Sequence, residues 1–291
     1  MKHSTYNWGQ KKHERTFFST SIYYLSMLAF HLAPNKVSRL MRVKGFAIKP
    51  YRLNAGQNAL LKQAHGFFLE FKHNKIRVFE WGSGPVIVLA HGWGGRALQL
   101  SSFVQPLLDK GYKVVAFDHK GHGDSSSTYS SYLEIVRSTD LVVAHYEKDL
   151  YGVIAHSVGS NAVFKVSEYI ARPLKIALIA PMENFPKWLE IMRCRLGIYE
   201  KLFARAIEQI ETDADLNLLE QCEFDYEKIS RHEVLLVHDK LDRINKISAS
   251  LEIQKNLQGA DLLQTENLGH SRILGNAEVV GRVVEHFGLP A

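Results

Sequence analysis

The chain has 291 residues with 46% hydrophobic and 11% aromatic content, enough to bury a full core, which excludes a disordered chain and suits one large α/β domain with an insertion or two small domains. Its two cysteines, Cys194 and Cys222, form no CxxC pair or Cys/His cluster, so neither a disulfide framework nor a structural zinc site is expected, and the thiols read as reduced, as in a cytoplasmic protein. Nine Lys/Arg against one acid in residues 1–50 account for the net charge of +6 and leave the remainder slightly negative, so the basic balance describes a tail and gives no sign of a nucleic-acid partner.

Residues 1–65 are predicted to form a basic, helical N-terminal extension. Within it Phe18, Ile22, Leu25, Ala29 and Leu32 recur at helical spacing, interrupted by Thr20, Ser21 and Ser26. The stretch is too short and polar for a transmembrane span, and although Lys11, Lys12 and Arg15 precede it, no small-x-small cleavage site follows. Two placements fit: docked on the domain, or laid on an anionic membrane through residues 1–45 as a peripheral contact.

A hairpin at 67–71 and 76–81 leads into strand candidates at 86–90, 113–117, 151–155, 176–180, 234–237 and 262–266. Most are continuous aliphatic runs, as expected of strands buried on both faces of a parallel sheet. Helical patterns fall between them at 98–108, which contains Pro106, at 132–145, at 161–171, and at 277–287 with Asn276 as its N-cap. Residues 66–181 and 231–291 thus read as an α/β core with a mostly parallel sheet flanked by helices. Residues 182–230 carry no strand signal but show helical apolar spacing at Trp188, Ile191 and Met192 and again from Leu202 to Ile210, and read as an inserted helical cap. With eleven Asp/Glu against six Lys/Arg, the cap offers an acidic substrate an unhelpful field.

The chemistry centres on Val153-Ile154-Ala155-His156-Ser157-Val158-Gly159, an apolar run that breaks on a serine between small residues, as at a strand turning sharply into a helix. A serine hydroxyl needs a base and an anion-stabilising pocket to act as a nucleophile. His91-Gly92-Trp93-Gly94-Gly95, after the strand at 86–90, can present backbone N–H groups, and the candidate oxyanion donors are the amides of Trp93 and Val158. The segment lacks the Gly-Lys-Ser/Thr of a phosphate loop and the glycine spacing of a dinucleotide fingerprint. His270 follows the last predicted strand, where open α/β sheets place their sites, and is the candidate base. Asp239 and Asp242 follow the strand at 234–237; Asp242 is the preferred acid because the extra residues carry it round the turn.

The order Ser157, Asp242, His270, with HGWGG before it and Asp118-His119-Lys120-Gly121-His122-Gly123-Asp124-Ser125 between, resembles the α/β-hydrolase superfamily, particularly its bacterial esterase and lipase-like members, over roughly residues 66–290. The resemblance implies an α/β-hydrolase fold with Ser157 as nucleophile, His270 as base, Asp242 as acid, and Trp93 and Val158 as oxyanion donors. It implies no cofactor and no metal. Ala155 stands where the family's first elbow glycine would be, and 243–246 lacks the usual valine-proline. The implied activity is cleavage of a carboxylic ester through an acyl-enzyme on a small-molecule or lipid substrate, with Phe185, Trp188 and Phe203 of the cap as candidate contacts for an apolar acyl group. Thioesterase, lysophospholipase and acyltransferase activities would use the same triad. The alternative of another class is a non-catalytic receptor that keeps the pocket as a ligand site.

Overall fold

An aliphatic run such as Val86–Ala90 has no polar face to offer water, and the strand it forms is buried at every position. The computed structural model describes residues 16–289. Its strands are β1 (His65–Phe71), β2 (Asn74–Trp81), β3 (Val86–Ala90), β4 (Lys113–Phe117), β5 (Leu150–His156), β6 (Lys175–Ile179), β7 (Glu233–Asp239) and β8 (Asp261–Thr265). They form one sheet in the order β1-β2-β4-β3-β5-β6-β7-β8. The β1–β2 hairpin and the β2–β4 pairing are antiparallel, and every pairing from β4 through β3 to β8 is parallel.

The helices are α1 (Phe17–Leu32), α2 (Pro34–Gly45), α3 (Ala55–Lys62), α4 (Val104–Asp109), α5 (Tyr132–His145), α6 (Val158–Ser167), α7 (Phe185–Leu196), α8 (Glu200–Ala214), α9 (Leu218–Cys222), α10 (Tyr226–Ile229), α11 (Ser248–Asn256), α12 (Gly269–Arg272) and α13 (Ala277–Phe287). Alternation along β3 divides the core between the two faces of the sheet. Val86, Val88 and Ala90 join a cluster with residues of α5, α6 and α8, whereas Ile87 and Leu89 join one with α4 and α13. Helices α7 to α10 occupy the stretch between β6 and β7 that lacks strand signals.

Local departures from the sequence pattern have identifiable causes. The helix expected at 98–108 is a 3-10 segment, Ala97–Phe103, followed by α4, because Leu100 leaves helical geometry at φ −99°, ψ 25°. Pro106 falls in the first turn of α4, where a missing N–H costs no intrahelical bond. The helix expected from 161 begins at Val158 and ends at Ser167, with Ser157 as its N-cap. Helix α3, unassigned in the sequence reading, opens on a reciprocal capping box between Asn54 and Gln57.

Helices α1 and α2 dock on α7 and α8. Ser26 Oγ accepts the Tyr199 N–H at 3.0 Å, Tyr23 meets the Tyr199 ring edge-on at 5.6 Å, and Arg42 pairs with Asp213. Lys11, Lys12 and Arg15 lie outside the described residues. Among the described residues no helix is long and apolar enough to cross a membrane. Gly197, the left-handed C-cap of α7 at φ 68°, lies so close to α1 that a Cβ there would be 1.9 Å from the Ser19 carbonyl oxygen. Gly197→Ala should therefore add about 1 kcal/mol of backbone strain and push α1 off α7. Limited proteolysis should then cut within residues 17–32 at least several-fold faster than in the wild type; unchanged protection would contradict the contact.

Candidate active site

β5 ends at His156, and the next residue, Ser157, adopts φ 54°, ψ −129°, a conformation rarely open to a residue with a side chain. Such a conformation costs on the order of 1–3 kcal/mol and persists only where the surroundings enforce it. Here the surroundings are two close approaches, one against the Ser157 side chain and one against the backbone after β3. A Cβ on Gly92 would stand 2.9 Å from Ser157 Cβ, and one on Gly159 would stand 2.4 Å from the His91 carbonyl oxygen. The loop after β3 and the first turn of α6 can approach this closely only because both residues are glycine. Ala155, the position that departs from the family pattern, is fully buried with an ordinary negative φ, so its methyl group creates no strain.

The bend sets Ser157 Oγ 3.1 Å from His270 Nε2, and His270 Nδ1 is 2.7 Å from Asp242 Oδ2. Because the carboxylate can only accept, Nδ1 carries the ring proton and Nε2 is left to accept from the serine hydroxyl. Asp242 is buried, which alone would raise its pKa. The His270 bond and the Ile244 and Asn245 backbone N–H groups on Oδ1 outweigh burial and hold the carboxyl below its ordinary range. Asp239, the other aspartate after β7, faces elsewhere. Its Oδ2 accepts from Thr265 Oγ1 and from the Leu268 N–H, each at 2.9 Å, and so ties the loop after β7 to the loop that carries His270.

The backbone donors near the serine divide into used and unused groups. In the loop after β3, the Gly92 N–H donates to Gln99 Oε1, the Gly94 N–H to His122 Nε2 and the Gly95 N–H to the Gly92 carbonyl. Among the described residues the N–H groups of Trp93 and Val158 donate to no protein acceptor, and Val158 opens α6, where the first N–H groups have no intrahelical partner. The Trp93 indole is 40% exposed, with His122 edge-on to it at 5.8 Å.

Three side chains to which the sequence reading gave no role join this arrangement. Asn245 Nδ2 donates to Ser157 Oγ at 3.3 Å and to the Ala180 carbonyl at 2.9 Å. The turn at Asp242 aims it there, and Asp242 followed by a second turn-forming side chain three residues on was the available signal. His156 donates from Nε2 to the His270 carbonyl at 3.0 Å; burial and the neighbouring His270 hold its pKa down to about 3, so it is neutral. His122, which holds Gly94, is also neutral, pushed down to about 4 by burial.

The cap residues separate. Phe185 lines a cavity of about 220 Å³ with Tyr132, Asn161, Met182, Phe224 and Tyr226; Asn161 lies one helical turn from Ser157. Trp188 stacks on Phe185 at 5.7 Å but is outside the lining and 41% exposed. Phe203 is buried against Phe46 on the side of α8 that faces α2, away from the cavity. Glu183 and Glu252 also line the cavity, and among the described residues no Lys or Arg does.

Burial makes the histidine cluster sensitive to pH. His91, His119 and His122 touch one another, with ring centroids 4.4 Å apart for the first pair and 5.0 Å for His91 and His122. In the unfolded chain each titrates near 6.5, whereas in the fold burial and mutual repulsion hold His91 and His119 well below that value and burial alone holds His122 at about 4. Between those limits the unfolded chain binds more protons, so stability is complete above pH 6.5 and falls as pH drops toward 4. The thermal midpoint should fall by on the order of 5 °C or more from pH 7.5 to 5. His122→Asn, whose amide oxygen can still accept from Gly94, should flatten that dependence; a pH-independent wild-type midpoint would contradict the assignment.

Comparison with known proteins agrees with this architecture. A family model described as the alpha/beta hydrolase fold matches residues 85–221. A non-heme chloroperoxidase from Kitasatospora aureofaciens is 30% identical over 95 residues, which cover 32% of this chain and 34% of that protein. A non-heme haloperoxidase from Rhodococcus erythropolis is 33% identical over 101 residues, covering 32% of this chain and 34% of that protein. The chain thus spans about a third of the length of the curated relatives it matches. The solved Pyrococcus furiosus esterase superposes with a TM-score of 0.58 at 16% identity, over 83% of this chain and 96% of that one. Together with the sheet order, these matches give the chain the α/β-hydrolase fold.

Proposed function

We propose that this protein is a serine hydrolase that cleaves carboxylic esters through an acyl-enzyme. The observation that carries the reading is the unbroken line of contacts from Asp242 through His270 to Ser157 Oγ, at 2.7 and 3.1 Å. In the first half-reaction Ser157 Oγ attacks the ester carbonyl carbon while its proton passes to His270 Nε2. The imidazolium that forms is stabilised by Asp242. The oxyanion develops beside Trp93 and Val158, whose unused N–H groups supply two donors, and collapse of the tetrahedral intermediate expels the alcohol with the proton from His270. Water then attacks the acyl-enzyme by the same steps in reverse, freeing the acid and restoring the Ser157 hydroxyl. Asn245 completes the polar surroundings of Oγ. By donating to a lone pair it fixes the serine rotamer and leaves the hydroxyl proton directed at His270.

The cavity beside Asn161 supports a neutral, apolar acyl group. Its aromatic walls favour such a group, and Glu183 and Glu252, with no facing cation, disfavour a carboxylate. Short esters and thioesters fit its volume of about 220 Å³ better than long-chain lipids. A receptor reading, in which the pocket holds a ligand without turnover, would give tight binding with no burst of product.

Ser157→Ala and His270→Ala should reduce hydrolysis of p-nitrophenyl butyrate to background, Ser157→Ala should abolish fluorophosphonate labelling, and Asp242→Asn should lower kcat by about 10⁴-fold. Wild-type turnover in either alanine variant would overturn the mechanism. Asn245→Ala should lower kcat about tenfold with little change in KM, as for loss of one polar contact to the reacting oxygen. Across p-nitrophenyl esters of increasing acyl length, kcat/KM should peak at short chains; a steady rise to palmitate would move the acyl site out of the cavity.

A further inference from the structure

Helix α1 is apolar on two sides: Tyr23, Met27 and Phe30 pack against the core, and a second apolar side faces solvent. Phe17, Phe18, Tyr24, Leu25, Leu28 and Leu32 are exposed, from 57% at Leu28 to 91% at Phe17, while Ser19, the one fully buried residue of the helix, and half-buried Ser26 face the protein. At about 100° per residue the six exposed residues fall within an arc of roughly 120°, so they form one stripe, on the order of 24 Å long at about 1.5 Å per residue. The docking contacts with Tyr199 and Gly197 fix which side faces outward.

The flanking charge identifies what covers this stripe. On α2, Lys36, Leu40 and Lys44 recur every four residues and are all exposed, Arg39 is exposed beside them, and residues 16–50 contain no Asp or Glu. A second copy of the chain placed face to face would bring two such cationic sets together. A bilayer surface with anionic headgroups offers an apolar layer to the stripe and negative charge to the lysines. We propose that the outward face of α1, with the cations of α2, docks this protein peripherally on an anionic lipid surface. The docking is independent of the hydrolytic reading.

The test is co-sedimentation of the full chain with vesicles of phosphatidylcholine, with and without phosphatidylglycerol. The wild type should pellet with the phosphatidylglycerol vesicles and be released by salt. The double variant Leu25→Glu with Leu28→Glu should partition at least about tenfold more weakly. Neutralising Lys36 and Arg39 to Gln should weaken partitioning about fivefold per cation. All these positions are exposed, and unchanged circular dichroism would separate lost docking from lost folding even if ester turnover were absent. Failure of the wild type to pellet with the anionic vesicles would overturn the proposal, as would equal pelleting of the leucine variant. So would a wild-type dimer in sedimentation velocity that the leucine variant dissociates, because a second copy would then cover the stripe.

Discussion

The geometry of the candidate site depends on the close approach of two glycines around a serine held at positive φ. Gly92 and Gly159 bring the loop after β3 and the start of α6 nearer to the bend than any Cβ would permit, with Ser157 at positive φ between them. The same packing aligns the loop whose Trp93 amide is unused with the helix whose Val158 amide is unused. Strain, nucleophile direction and donor placement are therefore one arrangement, and a change at either glycine would disturb all three.

Histidines divide their work according to burial. His91, His119, His122 and His156 are shielded from water and neutral, and each serves as a rigid piece with one donor and one acceptor nitrogen in a fixed tautomer. His122 receives Gly94, His91 receives the His119 N–H, and His156 holds the carbonyl of His270. Among the described residues only His270 has a serine hydroxyl on one nitrogen and a carboxylate on the other. Partners thus single out one ring, although four others are packed around the same loops.

Much of the fold was legible because its signals are local. Uninterrupted aliphatic runs marked the parallel strands, and the succession of serine, aspartate and histidine after strand ends marked residues that the sheet then gathers at the carboxyl ends of its strands. What escaped the sequence depends on tertiary contact. Leu100 breaks its helix through a backbone angle that composition does not encode. Asn245 reaches Ser157 across 88 positions. Phe203 and Phe185 share an aromatic identity within the 182–230 segment, yet α8 turns the first toward α2 and α7 turns the second to the cavity. For α1 the apolar period was plain, but which side it would show to water depended on a serine and a glycine accepting the docking contacts.

Asp239 makes the loops bearing Asp242 and His270 one mechanical unit, fastened to β7 and β8. β8 is an edge strand with no buried residue, whereas Ser157 is anchored in the middle of the sheet through its N–H to Ile179. Edges of sheets open before centres do. On gradual heating, Asp242 and His270 should depart together from a Ser157 still in place, ahead of global melting, as a reversible fraying of the sheet's rim.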